Sequence, residues 1–424
     1  MPEALEILRN VLLLIWHIIK LTWWIFLPIV FLTAVYNLWL FYVKNKFLKN
    51  VQYTIFEIKI PRYIEKSFKS MEDIFSAFHS IQISTPNFKE RLTEGKIQLW
   101  LSFEIIGDGR GTSFYIRTPN DYKHLVESQL YAQYPDLELI EVEDYTNISS
   151  SLLPNKFWDI WGLDFTLVQP TPYPILTYPF FEASKDEKTI DPISSLMETI
   201  SKLKSDERIW IQILFKPVDP KDDSCKKEGE KIVNKIIGKK ESTERSYWSY
   251  ILEFLYNLVK APFEAPEWEE GGGAEGSPGL MQHLTPGEKD IVEAIQTKIS
   301  KLLFDATIRF VYIDRRNAFS RLNITSTMGF FRQFNRLNLN GFKPYKPSVT
   351  KGKWPFKKQK EFWKKVFLYK NYLKRKFNSD SKIVLNTEEL ATIFHFPINV
   401  VEAPFLRRIE SKKGEPPVNL PIEG

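Results

Sequence analysis

The chain has 424 residues and a formal net charge of +6, so it is long enough for two or three domains and only mildly basic. Hydrophobic residues make up 43% and aromatic residues 15%, which is typical of a chain with large cores or one that meets a membrane or partner. The single cysteine, Cys225, excludes an internal disulfide framework and fits a reducing compartment.

The pattern of residues 1–50 predicts a membrane anchor. Residues 21–43 (LTWWIFLPIVFLTAVYNLWLFYV) are uncharged and apolar over a length that can span a bilayer, with aromatic residues near both ends. This run is longer than the apolar part of a signal peptide, and no small-residue cleavage site follows it. The polar residues of 5–20 fall on one helical stripe, which predicts a helix lying in the membrane interface; a second span is the alternative.

Charges beside the apolar run predict its orientation. Lys44, Lys46 and Lys49 follow the run directly, whereas Arg9 and Lys20 precede it. By the positive-inside rule, we expect a single-pass protein of the cell membrane whose C-terminal part is cytoplasmic.

Residues 51–150 predict one α+β unit. Apolar and alternating runs predict strands at 53–60, 97–106, 112–117 and 137–142, and helical spacing predicts helices at 64–81 and 119–134. The glycine-rich stretch GDGRG predicts a hairpin turn between the two middle strands. The order β-α-β-β-α-β is that of a ferredoxin-like unit.

Residues 151–342 predict a second unit of the same kind. Its strands are predicted at 163–168, 208–216 and 307–314, its helices at 191–204 and 317–334, and its closing strand at 382–385. Similar stretches in the two halves, such as SMEDIFSAFHSI and LMETISKLKS, indicate a tandem duplication. An insertion at 218–304 contains a basic helix at 226–240, an aromatic helix at 247–259 and a flexible linker at 264–278. The predicted fold class is therefore α+β, with an N-terminal transmembrane helix followed by two tandem ferredoxin-like units.

Residues 343–400 begin with the most basic stretch of the chain. Aromatic residues interleave with lysines there at nearly helical spacing, and Glu361 is its single acidic residue before 377. This pattern predicts an amphipathic helix that binds an anionic bilayer or single-stranded nucleic acid; a plain solvated helix is the third alternative. The candidate binding residues are Lys357, Lys358, Lys360, Lys364, Lys365, Lys374, Arg375 and Lys376.

The sequence shows no motif of the common catalytic or metal sites. It has no GxxxxGK[ST] phosphate loop, no GxSxG elbow and no CxxC pair, and its 5 histidines lack metal-ligand spacing. We therefore predict no enzymatic activity and no cofactor.

Residues 385–397 (LNTEELATIFHFP) predict a short capped helix near the C-terminus. Asn386 can cap the first turn, and Glu389 stands three residues later, as in a capping box. The prolines of 401–424 then favour an extended tail, with a disordered end as the alternative.

Several stretches after residue 52 resemble a family of membrane-anchored regions from bacteria of candidate phyla with small genomes. These stretches are FEIKIPR, FYIRTPNDYKHLVESQLYAQYPDLELIEVEDY, DPISSLMETI, IWIQILFKP, LTPGEKDIVEAI, QFNRLNLNGFKP, LNTEELATIFHFP and PFLRRIESKKGEPPVNLP. In longer related proteins, the last two lead into a conjugative-transfer, type IV secretion-like ATPase of the coupling-protein class. The sequence ends at Gly424, where such a domain would begin, so the resemblance implies an ATPase on a separate polypeptide.

The resemblance also implies that the capped helix and the tail dock a partner. The residues expected to dock are Asn386, Glu389, Phe394, Phe396, Phe405, Arg407 and Arg408. The leading hypothesis is a non-enzymatic, membrane-anchored scaffold that holds a DNA- or protein-translocating P-loop ATPase at the cytoplasmic face of the bilayer. The alternative is a free-standing, membrane-bound nucleic-acid-binding protein with DNA as its partner, and a homo-oligomer is compatible with both.

Overall fold

The structure is a computed structural model that describes residues 2–61, 66–84, 86–148, 153–182, 191–219, 224–238, 284–397 and 408–409. The predicted aromatic helix at 247–259, the linker at 264–278 and nearly all of the tail at 401–424 lie outside the described residues. The chain divides into an anchor unit, Met1–Tyr53 with Ile83–Leu99, and a sheet unit, Thr54–Gln82 with Trp100–Gly424.

One helix, α1, forms most of the anchor unit and spans Pro2–Asn50. The predicted boundary between an interfacial helix at 5–20 and a spanning helix at 21–43 is absent, because no glycine or proline near residue 20 ends the helix. Pro28 lies inside the helix without ending it. The segment Leu27–Asn50 is long and apolar enough to cross a membrane, a property that signal sequences near an N-terminus share.

The anchor unit also contains a π-helical turn, Glu90–Glu94, that the sequence did not predict. The Trp39 indole nitrogen donates to the Leu92 carbonyl in this turn at 2.8 Å. Gly95 follows with φ +66, and a Cβ there would lie 2.6 Å from the Val43 backbone. Glycine is required at this position because only it combines a left-handed backbone with such a close approach.

The described residues contain one sheet of 10 strands. The strands are β1 Tyr53–Pro61, β2 Leu101–Asp108, β3 Gly111–Pro119, β4 Glu138–Glu141, β5 Trp158–Leu167, β6 Arg208–Pro217, β7 Leu303–Arg315, β8 Phe342–Pro344, β9 Ile383–Asn386 and β10 Arg408–Ile409. Their order is β10-β1-β3-β2-β6-β7-β5-β8, with β4 also paired to β1 and β9 to β7. The pairs with a defined register are antiparallel, except that β10 runs parallel to β1.

The sheet consists of two four-stranded blocks that meet edge to edge. The first block has the order β4-β1-β3-β2, and the second has β6-β7-β5-β8, which is the same order read from the other side. Strands β2 and β6 join the blocks through an antiparallel register that runs from Leu101 opposite Phe215 to Asp108 opposite Arg208. Each block therefore covers an edge that the other would otherwise expose.

The strand that closes the second block differs from the prediction. The closing position beside β5 belongs to β8, with Phe342 opposite Leu167. The predicted closing strand at 382–385 forms β9 instead and pairs with β7, where Asn386 lies opposite Leu303. A strand of three residues is too short to show alternation, so the pattern could not identify β8.

The helices cover mainly one face of the sheet. They are α2 Phe68–Phe78, α3 Lys123–Gln133, α4 Tyr178–Glu182, α5 Ser194–Ser201, α6 Ser224–Ile237, α7 Pro286–Ser300, α8 Arg321–Arg332, α9 Lys357–Leu373 and α10 Thr387–Ile393. Apolar side chains of α2, α3, α5, α8 and α10 form the main core with every second strand residue, including Phe103, Phe215 and Phe310. A smaller cluster around Val233 and Ile295 joins α6 to α7.

The opposite face of the sheet is covered by α9. Leu368 and Tyr372 of this helix form a second core with the strand residues Trp210 and Val311. Because side chains alternate along a strand, the polar residues that share this face lie directly beneath α9.

Candidate functional site

A row of four polar side chains crosses the middle of the sheet under α9. Glu104 lies opposite Gln212, Gln212 opposite Arg309, and Arg309 opposite Asp164, in the registers of β2, β6, β7 and β5. All four are buried, and each interrupts a largely apolar stretch of its strand. We call these four residues the polar row.

Arg309 connects the polar row to the end of α9. Its Nε donates to Asp164 at 2.7 Å, and a terminal nitrogen donates to Gln212 at 3.1 Å. The remaining donors reach the carbonyls of Asn371 at 3.0 Å and Lys376 at 3.2 Å. Because its hydrogen-bond donors are satisfied by protein, this guanidinium positions α9 on three strands.

A second buried guanidinium, Arg375, binds the other end of the polar row. Its Nε donates to Glu104 at 3.0 Å, and its terminal nitrogens contact Asp144. The Tyr145 hydroxyl donates to Glu104 at 2.5 Å and lies 2.6 Å from the Tyr372 hydroxyl. Strand β2, helix α9 and the segment after β4 therefore share one buried hydrogen-bond network.

The charges of this network stabilise one another. Burial alone would raise the pKa of Glu104, but the charge and hydrogen bonds of Arg375 outweigh burial and hold this pKa below its ordinary value of 4.5. Burial likewise opposes ionisation of Asp144, and Arg375 again lowers the pKa below its ordinary value. Burial would lower the pKa of Arg375, yet the carboxylates raise it well above its usual range. At neutral pH the network is a set of fixed ion pairs.

Two of the predicted surface cations are not on the surface. Arg375 is 1% exposed, within the network just described. Lys365 is 9% exposed, and its ammonium lies 3.0 Å from Asp159 and 2.9 Å from Glu361. The expectation that these two residues bind lipid or nucleic acid is corrected, because their side chains face the sheet rather than solvent.

The other predicted cations lie on the solvent side of α9 and its flanks. Lys357, Lys358, Lys360, Lys374 and Lys376 are exposed, whereas Lys364 is half-buried and donates to the Val349 carbonyl at 3.1 Å. Four aromatic side chains beside them are more than 60% exposed: Trp354 at 90%, Phe356 at 69%, Trp363 at 67% and Phe367 at 61%. We call these five exposed lysines and four aromatic residues the basic ridge.

A pocket of about 590 Å³ opens beside the basic ridge. Asp164 and Arg309 line it, together with Trp363, Phe367 and Lys376. Asp164 and Arg309 already pair with each other, and the rest of the lining combines aromatic rings with both a cation, Lys376, and a carboxylate, Asp380. In the part of the chain that the structure describes, no group of three or more His, Cys, Asp or Glu side chains is placed to hold a metal ion.

The capped helix predicted near the C-terminus is α10, and its capping box is confirmed. The Asn386 side chain accepts from the Glu389 backbone nitrogen at 2.8 Å, and the Glu389 carboxylate accepts from the Asn386 backbone nitrogen at 2.9 Å. Glu389 also accepts from the Lys298 ammonium at 3.1 Å, with both side chains fully buried. Burial raises the pKa of Glu389 above its ordinary value even though Lys298 and backbone donors oppose this shift.

Four of the residues expected to dock a partner are core residues instead. Asn386, Glu389, Phe394 and Phe396 have exposed fractions between 0% and 3%. Phe394 stacks on Phe103 with ring centroids 4.1 Å apart, and Phe396 meets the ring edge of Tyr134 at 5.1 Å. The expectation that these side chains dock a partner is corrected, because they complete the main core under the first block.

The remaining residues expected to dock a partner are Phe405, Arg407 and Arg408. Phe405 and Arg407 are outside the described residues. Arg408 is in β10, where it is the partner of Ile60 in β1.

Further buried contacts that the sequence did not predict hold this C-terminal segment. His395 places Nε2 2.8 Å from Asp191 and Nδ1 3.1 Å from the Ala391 carbonyl. Lys301 donates to Glu72 at 2.9 Å and also contacts Glu388. We call residues 385–397 the C-terminal root. The sequence feature that could have indicated these buried contacts is a histidine or carboxylate within an apolar stretch, since such a residue is usually buried together with a partner.

The comparison with known proteins bears on the sheet unit. No curated protein matches the chain. A family model described as a domain of unknown function, DUF8128, matches residues 47–405. The match includes both strand blocks, α9 and the C-terminal root, and the chain therefore belongs to the DUF8128 family.

Proposed function

We propose that the protein is a non-enzymatic scaffold in the cell membrane that holds a translocating P-loop ATPase at the cytoplasmic face. In this proposal α1 is a single-pass anchor, and the residues that follow the C-terminal root bind the partner. The observation that carries the proposal is that the C-terminal root is fixed inside the core. A partner bound by the residues after Pro397 would then be attached to a rigid point of the sheet unit.

The contacts of the C-terminal root are strong enough to carry such an attachment. Separating a buried ion pair such as Lys298 and Glu389 leaves an unpaired buried charge, which costs about 3–5 kcal/mol. Aromatic contacts of Phe394 and Phe396 add to this resistance. The tail therefore begins at a point that resists local unfolding.

The architecture of the sheet unit fits a rigid platform. We propose that each block is a ferredoxin-like unit, supported by the common strand order and by the antiparallel registers within both blocks. The pairing of β2 with β6 makes one continuous sheet of the two units. Such a sheet would hold the root of the tail and α9 at fixed positions within the platform.

Partner binding is tested by purifying the full chain from its native membranes in mild detergent. We expect a translocation ATPase to copurify with the full chain and to be lost when residues 403–424 are deleted. The melting temperature of the deleted chain should change little, because the deletion begins after the C-terminal root and removes only the two-residue strand β10 from the sheet. Equal recovery of the ATPase with both chains would contradict tail docking.

Orientation is tested by labelling a cysteine at Leu337, which is fully exposed, in a chain with Cys225→Ala. The basic residues Lys44, Lys46 and Lys49 support a cytoplasmic sheet unit. We expect Leu337→Cys to resist an impermeant reagent on intact cells and to react after permeabilisation. Labelling of intact cells would reverse the proposed topology.

A second candidate function, binding of single-stranded nucleic acid, is favoured by the basic ridge. The exposed aromatic rings of the basic ridge are groups on which bases can stack, and its lysines are groups that can bind phosphates. This function predicts that an oligonucleotide binds the protein in neutral detergent and that its affinity falls steeply with salt.

A further inference from the structure

We infer that the basic ridge docks onto the headgroup layer of an anionic bilayer. This inference rests on the proposed function, because α1 would supply the bilayer. The ligand is a lipid with a net negative headgroup, such as phosphatidylglycerol, and nucleic acid is the competing partner.

The positive charge of the basic ridge is uncompensated within the described protein. Lys357, Lys358 and Lys360 are exposed and form no ion pair with a described carboxylate. The one acidic residue of α9, Glu361, is occupied by Lys365 at 2.9 Å. Lysines in the first turn of a helix also oppose its dipole, so they do not stabilise α9 itself. Their charge is available to an external anion.

The aromatic residues of the basic ridge form a stripe that suits a membrane interface. Trp363 and Phe367 are four residues apart and therefore lie on one side of α9, and Phe356 lies directly before the helix. Trp354 precedes them and is 90% exposed. Large aromatic residues beside lysines are typical of segments that lie in the headgroup region.

The backbone directly before α9 adopts a conformation that is rare for an aromatic residue. Phe356 has φ 63, a left-handed conformation that a phenylalanine rarely adopts. Such conformations cluster at functional sites because the surrounding structure must impose them. The strained residue therefore belongs to the basic ridge itself, where Trp354 and Phe356 are both exposed.

Two observations favour a bilayer over nucleic acid. The same chain carries a helix long and apolar enough to span a membrane, which would keep a bilayer at high effective concentration. The basic ridge also lies along the solvent side of α9 and its two flanks, an arrangement that fits a helix lying in the plane of a headgroup layer. Anionic headgroups attract each nearby lysine, and the aromatic rings enter the interface beside them.

The test uses the full chain with Cys225→Ala and an environment-sensitive fluorophore on Lys370→Cys, an exposed position of α9 outside the ridge. The chain is placed in nanodiscs of phosphatidylcholine, with or without phosphatidylglycerol. We expect a blue shift, and quenching by spin-labelled lipid, only when phosphatidylglycerol is present. High salt should weaken both signals because it screens the exposed charges.

Matched variants distinguish an effect of the basic-ridge lysines from an effect of the net charge of the protein. Lys357→Gln, Lys358→Gln and Lys360→Gln together should lower the docking equilibrium constant roughly 100-fold, about fivefold for each lysine. The control replaces three exposed lysines of α6 with glutamine, Lys226, Lys227 and Lys231, and should leave docking unchanged. Equal loss in both variants would overturn the inference.

The remaining outcomes are also decisive. If the chain enters the nanodiscs but the emission of its fluorophore is the same with and without phosphatidylglycerol, the inference is overturned, whereas the proposed membrane anchor is not contradicted. A response to a single-stranded oligonucleotide in neutral nanodiscs, without a response to phosphatidylglycerol, assigns the basic ridge to nucleic acid. A chain that does not enter nanodiscs contradicts the proposed anchor, and flotation of that chain with phosphatidylglycerol vesicles then tests the ridge alone.

Discussion

Glu389 completes a capping box and also neutralises a buried lysine, and the second role carries more free energy. A lost cap costs about 0.5–2 kcal/mol, whereas an unpaired buried charge costs about 3–5 kcal/mol. The sequence predicted the cap from Asn386 and Glu389 alone. It could not predict Lys298 as the partner, because that residue is distant in sequence and reaches Glu389 only in the folded chain.

We expect Glu389→Ala to lower the free energy of unfolding by about 3–5 kcal/mol. The control is Glu288→Ala, which removes the equivalent carboxylate from the exposed capping box of α7 and should have a much smaller effect. Adding Lys298→Met to Glu389→Ala should restore part of the loss, because it removes the unpaired charge. Denaturant unfolding of the full chain in detergent measures all three, and equal losses for Glu389→Ala and Glu288→Ala would contradict the buried-pair account.

The Arg375 network predicts a dependence of stability on pH. The pKa values of Glu104 and Asp144 lie below their ordinary values of 4.5 and 3.8 in the folded chain. The unfolded chain therefore binds more protons as the pH falls through this range, and their stabilisation is lost in acid. The pKa of Glu389 is raised, so its contribution to stability grows as the pH falls, opposite to that of Glu104 and Asp144. The effect of the network on stability is therefore measured as a difference between the parent chain and a variant that lacks Arg375.

We expect Arg375→Met to cost about 3–5 kcal/mol at neutral pH. Without the guanidinium, burial raises the pKa of Glu104, and the variant should then gain stability relative to the parent chain as the pH is lowered. Melting temperatures of both chains at several pH values measure this difference. A constant difference between them would show that Arg375 does not set the ionisation of Glu104.

At the scale of elements, the placement of α9 depends on a glycine of β5. A Cβ at Gly162 would collide with the Phe310 carbonyl and lie 2.7 Å from a methyl group of Leu368 in α9. The helix therefore packs against bare backbone at this point. This close approach lets Asn371 of α9 accept a hydrogen bond from Arg309, and it lets Arg375, just after the helix, reach Glu104 in β2.

We expect Gly162→Ala to destabilise the chain by about 1–3 kcal/mol, because α9 and β7 must shift to admit the methyl group. Gly329→Ala is the matched control in α8, where a Cβ would meet nothing within 4 Å. That substitution should be neutral or stabilise by about 0.5–1 kcal/mol through helix propensity. Similar melting temperatures for the two variants would contradict the packing of α9 on β5.

At the scale of the whole molecule, α1 and the sheet unit have different relations to the family. The DUF8128 match begins at residue 47, so most of α1 lies outside it. The apolar segment Leu27–Asn50 of α1 is nevertheless largely exposed, with 6% of its most apolar window buried in the protein. Exposed apolar surface of this extent is typical of segments that contact a membrane or another protein.

We expect native membranes to retain the full chain during alkaline carbonate extraction, because α1 would be held in the hydrocarbon core. The control is a chain that begins after α1, at residue 51, expressed in parallel. Release of the full chain into the supernatant would show that α1 does not anchor the protein.

The sequence by itself determined most of the local elements and their order. Alternation predicted β6 at 208–216, and the strand spans Arg208–Pro217; helical spacing predicted the helix at 317–334, and α8 spans Arg321–Arg332. It also located the capping box of α10, because all of its atoms lie within four consecutive residues. These features depend on neighbours in sequence, whose spacing is fixed by the backbone.

Only the tertiary structure decided which elements meet and which charges are buried. The pairing of β2 with β6, the polar row and the ion pair of Arg375 with Glu104 join residues that are far apart in sequence. The C-terminal root is a further example. Its residue types are compatible with a docking surface, but the folded chain buries these side chains in the core. Burial and pairing depend on long-range packing, which no local pattern specifies.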